Sequence, residues 1–230
     1  MLGTGSATDA LPSRRYRAAV LPWRLQLRRL PRLVLGLVLF GVGIAMFVLG
    51  DLGLPSWDVF HQGVSERTPI SIGVAVILTG AVLLIALLFL REPIGIGTIL
   101  NVLLIGLVMD GMLAVLDPPG HMAARLAYTL GGPVVVAVAS GLYLGVRLGP
   151  GPRDGLMTAM ARRGITVWKA RFGVEATVLV AGFLMGGTVG FGTIWFLITI
   201  GPFVQIALRL LSVPRHPDEP KVQGLKGVDD

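Results

Sequence analysis

The stretch Leu148–Arg163, LGPGPRDGLMTAMARR, decides how this 230-residue chain folds. Pro150 and Pro152 offer no backbone N–H, and each disfavours helix in the residue before it. Gly149 and Gly151 tolerate unusual backbone angles. A helix arriving from the apolar side must therefore stop near Val146. A new short helix can begin near Pro152, where proline suits the first turn. A weaker echo lies 96 residues earlier at Leu52–Arg67, LGLPSWDVFHQGVSER, with Leu52, Gly53 and Asp58 in the places of Leu148, Gly149 and Asp154. There Pro55 opens a similar short helix. Leu156, Met157 and Met160 share one face of the later helix, and Trp57, Phe60 and Val64 share one face of the earlier. Each loop is expected to carry a short amphipathic helix that lies on the membrane or dips into it.

The membrane enters through composition. The chain is 53% hydrophobic and 14% charged, with a mean hydropathy of +0.77, whereas soluble domains carry about 25% charged residues. Six apolar segments are predicted near residues 33–50, 70–90, 95–116, 126–146, 172–187 and 189–211. Most have the ~20 residues that a helix needs to cross a ~30 Å hydrocarbon core. The four-residue link Arg91-Glu92-Pro93-Ile94 and the two-residue link Gly187-Thr188 predict an antiparallel helical hairpin at each place. Residues 1–31 form a basic arm that lacks the apolar core of a secretory signal. From about Leu21 the arm suits an anionic membrane surface, or serves only as a topology signal. The tail 212–230, rich in Pro and charge, is expected to be disordered.

The echo extends into a repeat. At a shift of 96, Gly36, Val38, Val42 and Arg67 meet Gly132, Val134, Val138 and Arg163. With one residue removed, Gly95-Ile-Gly97-Thr98-Ile99 meets Gly190-Phe-Gly192-Thr193-Ile194, and Ile105-Gly106 meets Ile200-Gly201. Repeat one spans 32–116 and repeat two 117–211. Each holds three spanning segments. Three is odd, so the second half enters the membrane from the opposite side. The fold class expected is therefore an all-α membrane protein of six transmembrane helices, built as two inverted three-helix repeats, with short re-entrant or interfacial helices in the first and fourth loops. Seven arginines precede the first segment, and only Arg67 and Arg125 fall outside if the N-terminus is inside. By the positive-inside rule both termini are cytoplasmic.

The segment GPGPRDGLM, the arginines and Glu175 that follow it, the GGTVGFGT block and Ile200-Gly201-Pro202 together resemble the YczE/YyaS/YitT-type family of bacterial integral membrane proteins. The similarity covers about residues 32–211, and GPRDGL is its most specific part. It implies a bacterial plasma-membrane location and carries little about substrate, because the family is largely uncharacterised in function.

Inverted repeats in transporters place the site at the repeat interface. The expected function is a transporter or permease-like protein for a small solute or ion. The alternative is a non-transporting accessory or scaffold protein assembling with a larger complex. The candidate substrate, ion or gating residues are Arg153, Asp154, Glu175, Arg171, Asp58 and Asp110. Asp58 and Asp154 each fall in a first helical turn, where a carboxylate also simply offsets the helix dipole. Arg153 beside the bilayer calls for an anionic partner, a lipid headgroup or a substrate. Glu175 inside a spanning helix points to a functional site, or to a structural pair with Arg171 four residues before it; Arg153, Arg162 or Arg163 compete for it. Asp110 and Gln205 are related by the shift of 95, and Asn101 is the remaining strongly polar residue inside a segment. Asn101 and Gln205 are expected to make helix–helix hydrogen bonds. Gly141-x-x-x-Gly145 and Gly182-x-x-x-Gly186 are small-residue faces for close packing.

The chain has no cysteine and three histidines, all outside the apolar runs, so no metal site is expected. Gly149-x-Gly151 is no dinucleotide fingerprint: prolines interrupt it and no strand precedes it. Neither a Walker motif nor a nucleophile–base set is present, so an enzyme is not expected, nor a cofactor. The partners expected are the bilayer with anionic headgroups, a small solute or ion, and a second copy of the chain. The net charge of +7 belongs to segment ends and the arm rather than to a nucleic-acid surface.

Overall fold

In the computed structural model, residues 22–214 are described and form an all-helical protein with no strand among them. The helices are α1 Trp23–Gly50, α2 Ser56–Arg67, α3 Ile72–Phe89, α4 Ile96–Val115, α5 Met122–Gly145, α6 Pro152–Arg162, α7 Val167–Leu184 and α8 Phe191–Leu211. Five of them, α1, α3, α4, α5 and α8, are long and apolar enough to cross a membrane. The sixth expected span, α7, has 18 residues but carries Lys169, Arg171 and Glu175 in its first half. Leu78, Val82, Ile85, Leu107 and Ile198 turn outward, more than a third exposed. Such a surface suits lipid, where apolar side chains face out and every backbone group is satisfied within the helix.

Helix α1 crosses α5, and these two carry the core. Leu37, Ile44, Val136 and Tyr143 lie in one buried cluster with Met109 of α4 and Ile200 of α8. Small residues make the crossing close. A Cβ on Gly36 would lie 2.8 Å from the Tyr143 nitrogen, and one on Gly141 2.8 Å from the Ala207 carbonyl. Helix α4 lies on α1 as α8 lies on α5.

The two loops that open each half share one device. Helix α1 is capped by Asp51, and α5 by Val146 followed by Arg147; Asp51 and Arg147 are non-glycine residues with positive φ (49° and 56°). Gly53 and Gly149 follow with φ of 108° and 123°, angles at which a side chain is strained. The chain then reaches across to the other half. The Leu148 carbonyl accepts from the Gly97 N–H at 2.9 Å, and the Leu52 carbonyl accepts from the Gly192 N–H at 2.7 Å. These bonds are equivalent under the sequence shift. Each half thus ties its loop to the N-terminus of the other half's last helix, where the Thr98 and Thr193 hydroxyls accept from the Gly95 and Gly190 N–H groups, each at 3.2 Å.

Arginines finish the helix ends. Arg67 donates to the Leu184 and Met185 carbonyls past α7, and Arg163 donates to the Leu90 carbonyl past α3. From the basic arm, Arg29 donates to the Val146 carbonyl and Arg32 to the Leu211 carbonyl. A guanidinium on the last carbonyls satisfies groups that the helix leaves open and opposes the negative end of its dipole.

Several expectations need correction. The first helix starts at Trp23, ten residues before Leu33, and runs through Pro31, because Arg29 and Arg32 are anchored on α5 and α8. The fifth segment spans Val167–Leu184 rather than residues 172–187. Helices α3 and α4 do form a packed hairpin, but α7 does not pack on α8; it lies on α2 and α6. Glycines decide this: a Cβ on Gly182 would lie 2.4 Å from the Phe60 nitrogen, and one on Gly187 2.1 Å from the Val59 carbonyl. The close approach to α2 is therefore made by Gly182 on α7 and by Gly187 in the link after it, whereas Gly186 meets nothing nearer than 3.9 Å. Helix α2 is no surface helix, since Trp57, Asp58, Val59 and His61 are all buried. Residues 1–21 of the basic arm, and the expected disordered tail from residue 215 on, lie outside the described residues.

Candidate functional site

The first turns of α2 and α6 open onto one space. Between them lies a cavity of about 280 Å³ lined by residues of all eight helices. Its lining is paired by the repeat: Ile44 with Ser140, Trp57 with Arg153, Asp58 with Asp154, Val76 with Arg171, Gly80 with Glu175 and Asn101 with Phe196. At the centre the paired positions touch, with the Arg153 guanidinium 4.9 Å from the Trp57 ring centroid. That distance is within the range in which a cation is attracted to an aromatic face.

The pairs are alike in place and unlike in chemistry. The first half supplies Ile44, Val76 and Gly80 where the second supplies Ser140, Arg171 and Glu175. The Tyr143 hydroxyl donates to the Asp154 carboxylate at 3.1 Å; the equivalent residue in the first half, Phe47, has no hydroxyl and stacks edge-on with Phe196. Arg171 Nε donates to Glu175 Oε1 at 2.9 Å. Of the structural and functional roles open to Glu175, the pair with Arg171 is formed, and both residues still line the cavity. Arg162 and Arg163 do not compete for Glu175. They reach Glu92 at 2.7 and 3.6 Å.

Asp154 is exposed, and it opens onto the cavity. Surrounding protein pushes its carboxyl above the ordinary range, against the pull of the Tyr143 hydroxyl, Arg171 and Arg153. Asp58 differs. It is 1% exposed, and its Oδ1 lies 3.1 Å from His61 Nδ1, while Oδ2 of Asp58 and Nε2 of His61 are buried with no hydrogen-bond partner. Burial holds His61 below the usual imidazole value, with the Asp58 carboxylate opposing that shift.

Of the sequence candidates, the cavity gathers Asp58, Arg153, Asp154, Arg171, Glu175 and Asn101. It does not include Asp110 or Gln205. Asp110 accepts from the Gly73 N–H at 2.8 Å and from the Ser71 hydroxyl, holding the start of α3. Gln205 is exposed on α8. The sequence reading missed His61 and Tyr143. His61 stood outside the apolar runs and was set aside with the other histidines; its spacing of three from Asp58 was the available signal. Tyr143 was legible only as a hydroxyl added where the repeat has Phe47.

The family model that matches is a family of unknown function, DUF6198, over residues 27–209. The chain belongs to this family. An uncharacterized protein of Haemophilus influenzae (strain ATCC 51907 / DSM 11121 / KW20 / Rd) is 33% identical over 204 residues, 88% of this chain and 94% of that protein. The uncharacterized membrane protein YczE of Bacillus subtilis (strain 168) is 32% identical over 176 residues, 75% of this chain and 82% of that protein. No solved structure matches the chain significantly. With its apolar helices and this relationship, the chain is a membrane protein, and the resemblance to the YczE-type family holds.

Proposed function

We propose that this family member is a permease for a small polar solute or ion, and that the cavity between its halves is the site. The carrying observation is the matched lining: equivalent positions of both repeats, Asp58 and Asp154 among them, meet around one largely apolar space with a few charged side chains. A transporter built from inverted repeats needs its site there. The six spans then include α7, with its charged first half turned toward the cavity at Arg171 and Glu175. Helix α2 enters from outside and α6 from inside, and both termini are cytoplasmic in a bacterial plasma membrane.

Unequal packing supports the same reading. Helix α3 is closed against α4, whereas α7 stands away from α8 and rests on α2. Two repeats held in different conformations give a site access from one side at a time; exchanging the two conformations reverses the side. No enzymatic step is assigned to the cavity.

Flux tests this. Proteoliposomes carrying the wild-type protein take up a small solute from a broad panel, and Glu175→Gln slows uptake at least about tenfold, as loss of a charged pair worth more than about 1.4 kcal/mol at the rate-limiting step would. If the panel shows no flux while a second membrane protein co-purifies stoichiometrically, the chain is an accessory subunit instead.

A further inference from the structure

We infer that Asp58 and His61 together form a proton-binding pair that couples the cavity to the proton gradient, an inference that rests on the permease reading. The motivating observation is two orphaned atoms. Asp58 is 1% and His61 0% exposed, and among their polar atoms only Oδ1 and Nδ1 meet, at 3.1 Å. Asp58 Oδ2 and His61 Nε2 are buried without a partner. Leaving a buried polar atom unpaired is destabilising, and more so when the group is charged. A site whose only role was to start α2 would need the aspartate alone; Asp154 serves α6 with Met157 in the place of His61.

The geometry gives each residue a part. Asp58 lines the cavity, and His61 lies behind it, packed against the Trp57 and Phe60 rings. With a neutral imidazole, Nδ1–H donates to Oδ1 and the pair carries one negative charge. A proton delivered from the cavity binds at the lone pair of Nε2, its carrier hydronium or water becoming water or hydroxide, and the pair of imidazolium and carboxylate is then neutral overall. No other bond is made or broken. The charged groups around the pair are few. From α6 come Arg153 and Asp154, and from α7 the paired Arg171 and Glu175. On α2 itself Arg67 is taken by the α7 carbonyls and Glu66 lies at its exposed end. Helix α3, also packed on α2, brings no charged residue. Arg153 is near enough to oppose a proton on His61. Neutralising the pair removes one negative charge from the surroundings of Arg153, so its pull on an anionic group in the cavity grows. Proton and solute occupancy are linked through that one guanidinium.

The test does not require a known solute. Trp57 lies with its ring centroid 6.4 Å from that of His61, so an imidazolium there quenches its emission. The full-length protein in detergent is titrated from about pH 8 to about pH 4, a range that brackets a lowered imidazole value, and the Trp57 contribution is isolated by difference from Trp57→Phe. The pair predicts a one-proton quenching step. His61→Gln abolishes it, and Asp58→Asn moves its midpoint to lower pH, because the carboxylate no longer favours the imidazolium. Asp58→Glu, which keeps the acid, restores a step with a displaced midpoint and serves if Asp58→Asn does not fold. A titration without any step, or one unchanged in His61→Gln or in every Asp58 variant, overturns the proposal. Flux in proteoliposomes without this step removes the proton pair and leaves the permease. The step without flux removes the permease instead.

Discussion

Single residues carry the symmetry of this molecule. Gly53 and Gly149 occupy equivalent turns with φ above 100°. An added Cβ would fall 2.5 Å from the Gly190 nitrogen and 2.9 Å from the Gly95 Cα, respectively. Gly53→Ala and Gly149→Ala are therefore each expected to cost about 1–3 kcal/mol, the range for a strained backbone position. Thermal unfolding in detergent reads this as two similar drops in Tm. A fall in only one would mean that the two loops are not equivalent. Asp110→Ala tests a different role. It removes two hydrogen bonds at the start of α3 and costs about 0.5–2 kcal/mol, as a lost helix cap does, while flux per folded molecule stays unchanged. The prolines and glycines of Leu148–Arg163 were readable from the sequence because their constraint is local. Burial of Asp58 beside His61 was not readable, since it depends on α7 arriving from residues more than 100 positions away.

At the scale of elements, most helix boundaries follow from apolar length and from the turn residues between segments, but the starts of α1 and α7 do not, because each begins in charged sequence ahead of its apolar run. Which helices touch does not. The short link between α7 and α8 suggested a hairpin, but linker length limits only how far apart two ends can be. Glycine decides the packing: Gly63 and Gly182 bring α2 and α7 together, with a Cβ on Gly63 falling 2.6 Å from the Gly182 carbonyl. Gly182→Leu is expected to force α7 from α2 and to lower stability by about 1–3 kcal/mol, the usual cost of overpacking. Gly173→Ala on the same helix, where an added Cβ meets nothing within 4 Å, changes stability by no more than about 0.5 kcal/mol in the unfavourable direction. Equal losses from the two substitutions, measured by unfolding, would show that the α2–α7 contact contributes nothing special. Arg67 and Arg163 belong to this scale too, each fixing the end of a helix from the other half.

Across the whole molecule the proposed repeat rests on three sequence blocks that recur in order with one consistent gap. The cavity was not legible as a shape, although its polar residues were. Asn101 stood out as a polar residue inside a span, and it lies in the lining only because the Gly151 turn comes close to it. The difference between the halves is also a property of the assembled molecule. No single segment encodes that α3 closes on α4 while α7 leaves α8. The central claim is that the second half is inverted with respect to the first, so that α2 and α6 approach one cavity from opposite sides. The chain has no cysteine, so single introduced thiols report without background. Thr68 and Thr166 are exposed, at the end of α2 and the start of α7. The decisive measurement is labelling of Thr68→Cys and Thr166→Cys in sealed vesicles by a membrane-impermeant thiol reagent. The inverted arrangement predicts labelling of residue 68 only from the periplasmic side and of residue 166 only from the cytoplasmic side; labelling of both from one side would contradict it.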